Sequence, residues 1–290
     1  MALFNTSPGA GGITPDDYTD LIVEPIKRLS VALDPRVTKV IQTTAAVTHV
    51  PIIREDAQAS WVAEGAEISP SDAVLDELEV RPAKVAGISR ISRELANDST
   101  PEAAGIVGES LSRDIARKID QAFFGALPAP APRGLEFLTP VTPDDDGHNV
   151  VGWGAGDAPT SLDPFAEAIA VADDLGTTIT AFVTDASTAL AISKLRVEKD
   201  SNLPLLGVDA TGPTARQVLG IPLIVTNAVA DGTVWALDAS RALVIMRSTI
   251  EVAVSNEAYF GSDSVAVRAI ARVGFAFPSL RSLVKIQTGA

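Results

Sequence analysis

Few side chains in this sequence stand at spacings that do chemistry, and each such group fails at a required position. Gly207 to Thr214, GVDATGPT, has the length of a phosphate-binding loop but carries Pro213 where the lysine must stand. Without that ammonium nothing reaches the β and γ phosphates. Gly152-Trp153-Gly154-Ala155-Gly156 follows two valines, but Asp157-Ala158-Pro159-Thr160 separates it from the next helix. A dinucleotide loop needs that helix N-terminus directly behind it. Asp144, Asp145, Asp146 and His148 offer ligands for calcium, yet an EF-hand from Asp144 has Asn149 instead of Gly at its sixth position and Ala155 instead of Glu at its twelfth. The run reads as a solvated loop. Ser282 and Lys285 keep a Ser-x-x-Lys spacing without its companion motifs and are expected on a polar edge. His49 reads as a structural histidine beside Val50 and Pro51. With 2 His and 0 Cys, thiolate zinc and a cysteine nucleophile are excluded and little is left for a multi-histidine metal site. No nucleophile, base and oxyanion set is identifiable, so the chain reads as a non-enzyme with no cofactor.

Another group of residues suggests contact instead of catalysis. Glu64, Glu67, Asp72, Asp76, Glu77 and Glu79 cluster on one short stretch. They have no apolar pocket that would raise one carboxyl as a glycosidase pair requires. A solvated face or an intersubunit salt-bridge surface fits better. Trp61, set among these charges, is most simply explained if another chain covers it. Arg268 and Arg272 fall on one face of a late strand by its period of two, opposite Val265, Val267, Ala269 and Ala271. Trp61, Glu64, Glu67, Asp72, Asp76 and Glu77, facing Arg268 and Arg272, are the candidate intersubunit contacts.

The elements that position these residues follow from composition and pattern. The chain has 290 residues, 46% of them hydrophobic and 21% charged, which is a globular balance with room for a sizeable core. Its net charge of −14 argues against a broad nucleic-acid-grasping face. The first residues lack the basic and apolar regions of a signal peptide, and no apolar run approaches the roughly 18 residues of a membrane helix. Residues 1–13 read as a mobile arm, with a short amphipathic stretch from Thr14-Pro15. Val37 to Ile53 favours strands, with Pro51 at an end or edge. Ala59 to Ile68 and Val74 to Val80 are expected to form a hairpin turning at Ser69-Pro70-Ser71-Asp72.

The clearest helix is announced by Ser99, Pro101 and Glu102, and its apolar face by Val107, Leu111, Ile115, Ile119 and Phe123. The tract from Leu127 to Gly134, LPAPAPRG, ends it, and 139–160 reads as a long loop. Beyond that loop, helices from Asp163-Pro164 and Asp185 flank a strand at Thr180 to Thr184. Strands follow at Leu223 to Thr226, Thr233 to Leu237, Ala242 to Met246, Thr249 to Val254 and Ser264 to Phe277.

Several segments, taken in order, resemble the major capsid protein family of tailed phages, with its Hong Kong 97 type fold. They are Trp61-Val62-Ala63-Glu64-Gly65-Ala66-Glu67-Ile68, Arg81-Pro82-Ala83-Lys84-Val85-Ala86, and Ser92-Arg93-Glu94-Leu95 leading to Asp114-Ile115-Ala116 and Asp120. Val218-Leu219-Gly220-Ile221-Pro222-Leu223 and the strand from Val267-Arg268 to Pro278 continue the likeness, which covers about 20 to 288. The resemblance implies an α+β, Hong Kong 97-like capsid fold. Its parts would be an N-terminal arm at 1–30, peripheral-domain strands at 31–53, an extended E-loop hairpin at 54–92, and a peripheral segment with the spine helix at 93–133. An axial domain would occupy 134–250, and 251–290 would carry the long strand and a C-terminal return to the axial domain.

The function implied is self-assembly into hexamers and pentamers of an icosahedral shell around double-stranded DNA, bound without sequence specificity. The shell would be a virion capsid assembled in the host bacterial cytoplasm, with no membrane. Expected partners are a separate scaffolding protein, since little chain precedes Tyr18, a portal protein and a decoration protein. Some members weld subunits through an E-loop lysine, but no lysine occurs between Lys39 and Lys84, so assembly is expected to be non-covalent. An encapsulin-like nanocompartment shell is the alternative.

Overall fold

The computed structural model describes residues 30–55, 57–65, 67–92, 102–142, 147–153, 159–196, 205–206, 216–247 and 251–287. The arm with its Thr14-Pro15 stretch, the capping residues Ser99 and Pro101, the acids Asp144 to Asp146, and the glycine-rich segments 154–156 and 207–214 lie outside the described residues.

The i+4 apolar series folds as expected into a single helix, α1, Glu102–Phe124, which at about 1.5 Å per residue spans roughly 35 Å. Ile115, Ala116, Ile119, Ala122, Phe123 and Phe124 are buried, while Arg113, Asp114, Arg117 and Lys118 face solvent. Fully burying each large apolar side chain contributes about 1.5–3 kcal/mol. At the end of α1, Phe123 meets Phe124 and Phe275 edge-on, with ring centres 4.9 and 5.1 Å apart.

The helix lies on one face of a five-stranded sheet. Its strands are β1, Lys39–Thr43; β4, Ala83–Ser92; β10, Leu243–Arg247; β11, Glu251–Tyr259; and β12, Ser264–Ala276. β12 pairs along Ser264–Val273 with β4 on one side, and on the other with β11 and then β10, with β1 parallel to β10 beyond. Gly87 of β4 lets the helix approach, because a Cβ there would collide with Cδ1 of Leu111. Ala269, Ala271 and Val273 of β12 join Ile115, Ile119 and Phe123 in the main core.

A second sheet has the order β5, Asn149–Gly152; β13, Val284–Gln287; β9, Val234–Leu237; β6, Ala181–Thr184; β8, Ile221–Val225; and β7, Gln217–Val218. Helices α2, Asp163–Asp174, and α3, Ala186–Ser193, belong to this lobe. Asp185 caps α3, accepting from the backbone N–H groups of Ser187 at 2.6 Å and Thr188 at 3.0 Å. Phe165 of α2 packs edge-on against Phe182 of β6, 4.9 Å between centres. The two lobes share the main core, since Val183, Trp235 and Leu237 cluster with residues of α1 and β12.

The remaining pair, β2, Thr48–Glu55, and β3, Val74–Val80, forms a separate antiparallel hairpin. Here the structure corrects the sequence reading. The rising arm is Thr48–Glu55, whereas Ala59 to Ile68 has no strand among its described residues. Val50, Leu78 and Val80 explain the register: they pack on Leu243, Ile245 and Ala276 of the body, an anchor that the acid-rich 59–68 stretch lacks. Pro51 sits within β2, tolerated because a two-stranded ribbon leaves each strand an open edge.

Three further expectations change. The 139–160 loop contains β5, because Val150 and Val151 add to β13 as a parallel edge strand. β10, grouped by sequence with 134–250, pairs instead with β1 and β12 beside α1, where all but its last residue is buried. Ser282 and Lys285 are not on a polar edge: Ser282 is fully buried and Lys285 pairs with Glu136 at 2.7 Å.

Candidate assembly interface

The hairpin carries the acids and Trp61 away from the body. Beyond Glu55 and before Val74 its described residues form no strand, and the backbone N–H of Gln58 bonds Oγ of Ser71 at 2.9 Å across the two sides. Gly65 adopts φ +81, a left-handed turn that other residues resist. Trp61 is fully exposed, and Ile68, Leu75 and Ile53 are 75, 70 and 60% exposed. Such an accumulation of bare apolar side chains makes the tip the candidate contact surface.

The acids divide into two groups. Arg54 donates from Nε and Nη2 to Oδ2 of Asp76 at 3.0 and 2.8 Å, which together with the Glu77 N–H holds that carboxyl below its usual range. Glu77 lies 3.1 Å from Nδ1 of His49, and Glu79 is bonded by Arg81. His49 is thus an exposed hairpin residue partnered by Glu77. Among the described residues no ion pair involves Glu64, Glu67 or Asp72.

Arg268 and Arg272 lie on the face of β12 opposite α1. Strand register places Ile88 opposite Arg268 and Lys84 opposite Arg272, so Lys84, Arg90, Arg268 and Arg272 share one side of the sheet. Ile88, at 58% exposed, sits among them. Arg90 lies over the Tyr259 ring, 5.6 Å from its centre. Lys84 and Arg90 escaped the sequence reading, although the alternation Lys84, Ala86, Ile88, Arg90 carries the signal.

Asp120 links the incoming chain to α1. Its carboxylate accepts from Oγ of Ser30 at 2.6 Å and from the N–H groups of Val31 at 3.1 Å and Ala32 at 2.9 Å. Burial pushes its pKa up against these bonds. Among the described residues no cluster of His, Cys, Asp and Glu could hold a metal, and no helix is long and apolar enough to cross a membrane.

The body has a closed core, whereas the hairpin leaves apolar side chains bare and, among the described residues, Glu64, Glu67 and Asp72 without an ion pair. The chain belongs to the phage capsid family, whose model matches residues 10–287. Its fold is similar to that of the capsid of a native GTA particle, at TM-score 0.73 and 19% identity over 90% of this chain and 91% of that one. It is also similar to structures from Microbacterium phage Oxtober96, at TM-score 0.71, 20% identity, and 96 and 100% coverage, and Mycobacterium phage Adephagia, at TM-score 0.68, 20% identity, and 90% of each chain. No curated protein matches the chain. The mixed helix-and-sheet fold is that of phage capsid subunits, and the chain is a major capsid protein of a tailed phage; an encapsulin shell is not favoured.

Proposed function

We propose that this capsid protein assembles into hexamers and pentamers of an icosahedral shell that encloses double-stranded DNA. Its role is structural and not catalytic. Assembly takes place in the cytoplasm of a bacterial host, with a scaffolding protein and a portal protein as partners. Residues 1–30 act as the arm, the hairpin of β2 and β3 as the E-loop, and α1 with its five-stranded sheet, β4 included, as the peripheral domain. The second sheet with α2 and α3 forms the axial domain.

The observation that carries this reading is the exposed hairpin tip around Trp61. Trp61, Glu64, Glu67 and Asp72 meet a neighbouring copy, with Asp76 and Glu77 supporting the tip from its stem. The sheet face of Arg268 and Arg272, extended by Lys84 and Arg90, is the complementary surface. A surface ion pair contributes only about 0–1 kcal/mol, but a closed lattice repeats each pair many times and salt screens them all. No lysine lies at the tip, so the contacts are non-covalent.

Negative-stain microscopy of the purified protein tests the shell: closed particles or hexamers are expected, and a monodisperse monomer under all conditions would refute it. Particles boiled in detergent should run as one band near 30 kDa, the mass of one chain, and a covalent ladder would refute non-covalent assembly. Equal assembly yield in low and molar salt would refute the charge pairing.

A further inference from the structure

Three buried polar atoms without a hydrogen-bond partner in the described chain lie around Trp235: its own indole Nε1, Nδ1 of His148 and Oε1 of Glu136. The His148 and Trp235 rings meet, and Lys285 ties Glu136 to the indole. The His148 and Trp235 rings are 5.2 Å apart and the two residues are 3 and 0% exposed. Nζ of Lys285 stands 5.4 Å from the indole centre and 2.7 Å from Oε2, the other oxygen of Glu136. Leaving a buried donor or acceptor unsatisfied costs about 1–3 kcal/mol, so three in one place call for a shared partner.

The chemistry of the three atoms selects that partner. The indole N–H only donates and the ion-paired carboxylate only accepts. Burial, and then the charge of Lys285, hold His148 neutral, so its Nδ1 accepts or donates according to tautomer. A metal cation cannot satisfy the indole N–H, and an anion is repelled by the free carboxylate oxygen. A small neutral molecule with both hydrogens and lone pairs serves all three. We infer that one internal water molecule is bound here, accepting from Nε1 of Trp235, donating to Oε1 of Glu136 and bonding Nδ1 of His148. It joins three separate pieces of chain, the turn Leu135–Phe137, the approach to β5 and the centre of β9, and β13 is tied in through the ion pair of Lys285 with Glu136. This bond set is internal to one subunit and does not depend on how subunits assemble.

Cryo-electron microscopy of the assembled shell, or a crystal structure of the subunit, tests this at a resolution that shows ordered water. One isolated peak is expected within about 2.7–3.2 Å of all three atoms. A map without that peak, or with Nε1 of Trp235 bonded directly to Oε1 of Glu136, overturns the inference. Trp235→Phe keeps the ring contact with His148 but removes the donor, and should abolish the peak and lower the melting temperature. A peak unchanged in that variant shows that the indole does not hold the water and also overturns it.

Discussion

The helix-bearing body and the hairpin use similar residues to opposite ends. Around α1, Ile115, Ile119, Phe123 and Phe124 are sealed at 3% exposure or less. In the hairpin, Trp61, Ile68, Leu75 and Ile53 all stand more than half exposed, and the apolar packing on the body is made at the base, by Val50, Leu78 and Val80. The body therefore carries its own stability. The hairpin packs on the body at one end and leaves its apolar surface bare, as a two-stranded ribbon without a covered face must. Charge follows the same division: Asp120 is satisfied inside the body, whereas Glu64, Glu67 and Asp72 form no ion pair among the described residues.

Breaking the body should have the largest effect. Ile115→Asp buries an unpaired charge and should cost several kcal/mol, about the whole stability of a marginal domain. Soluble Ile115→Asp protein that assembles normally would show that this face is not a core. Asp120→Ala strands the Ser30 hydroxyl and two backbone N–H groups and should cost about 2–3 kcal/mol in a melting experiment, with Asp120→Asn losing less. Equal losses for the two would show that hydrogen bonding is not what Asp120 supplies.

A smaller effect separates the regions by pH. His148 is held below its ordinary value of 6.5, so the unfolded chain takes up a proton that the folded body refuses. Its contribution is complete above about pH 6.5 and is lost progressively as pH falls below it. The melting temperature of His148→Gln should fall less between pH 8 and pH 5 than that of the unmodified protein, and identical slopes would remove His148 from the account. The smallest change in subunit stability is expected at the hairpin tip. Trp61→Ser should leave melting of the free subunit within about 0.5 kcal/mol while reducing shell yield, since an exposed side chain adds little to its own chain. Full assembly of Trp61→Ser would break the comparison.

The sequence revealed the body more fully than the hairpin, for a physical reason. Helix α1 and strand β12 carry their periodicity in residues that bury against their own chain, so Ile115 and Ala269 could be read directly from spacing. The hairpin register is set by long-range contacts of Val50 and Leu78 with β10, which no local pattern encodes, and so its rising arm was misplaced. Of the proposed contact residues, Arg268 and Arg272 are legible by alternation. Lys84 and Arg90 join them only through the pairing of β4 with β12, and the pairing of Asp76 with Arg54 depends on the same kind of cross-strand register.

The route by which the hairpin returns to the body has a mechanical meaning. β3 runs through Arg81-Pro82 directly into β4, which lies antiparallel to β12 along its full length. Tension on the hairpin tip is therefore delivered along the axis of β4. Pulled in that direction, the rungs of the β4–β12 ladder share the load in shear and must fail together, whereas a strand peeled from its end gives way one rung at a time. A subunit gripped by its hairpin is thus held through its longest ladder, ten paired positions from Ala83 to Ser92.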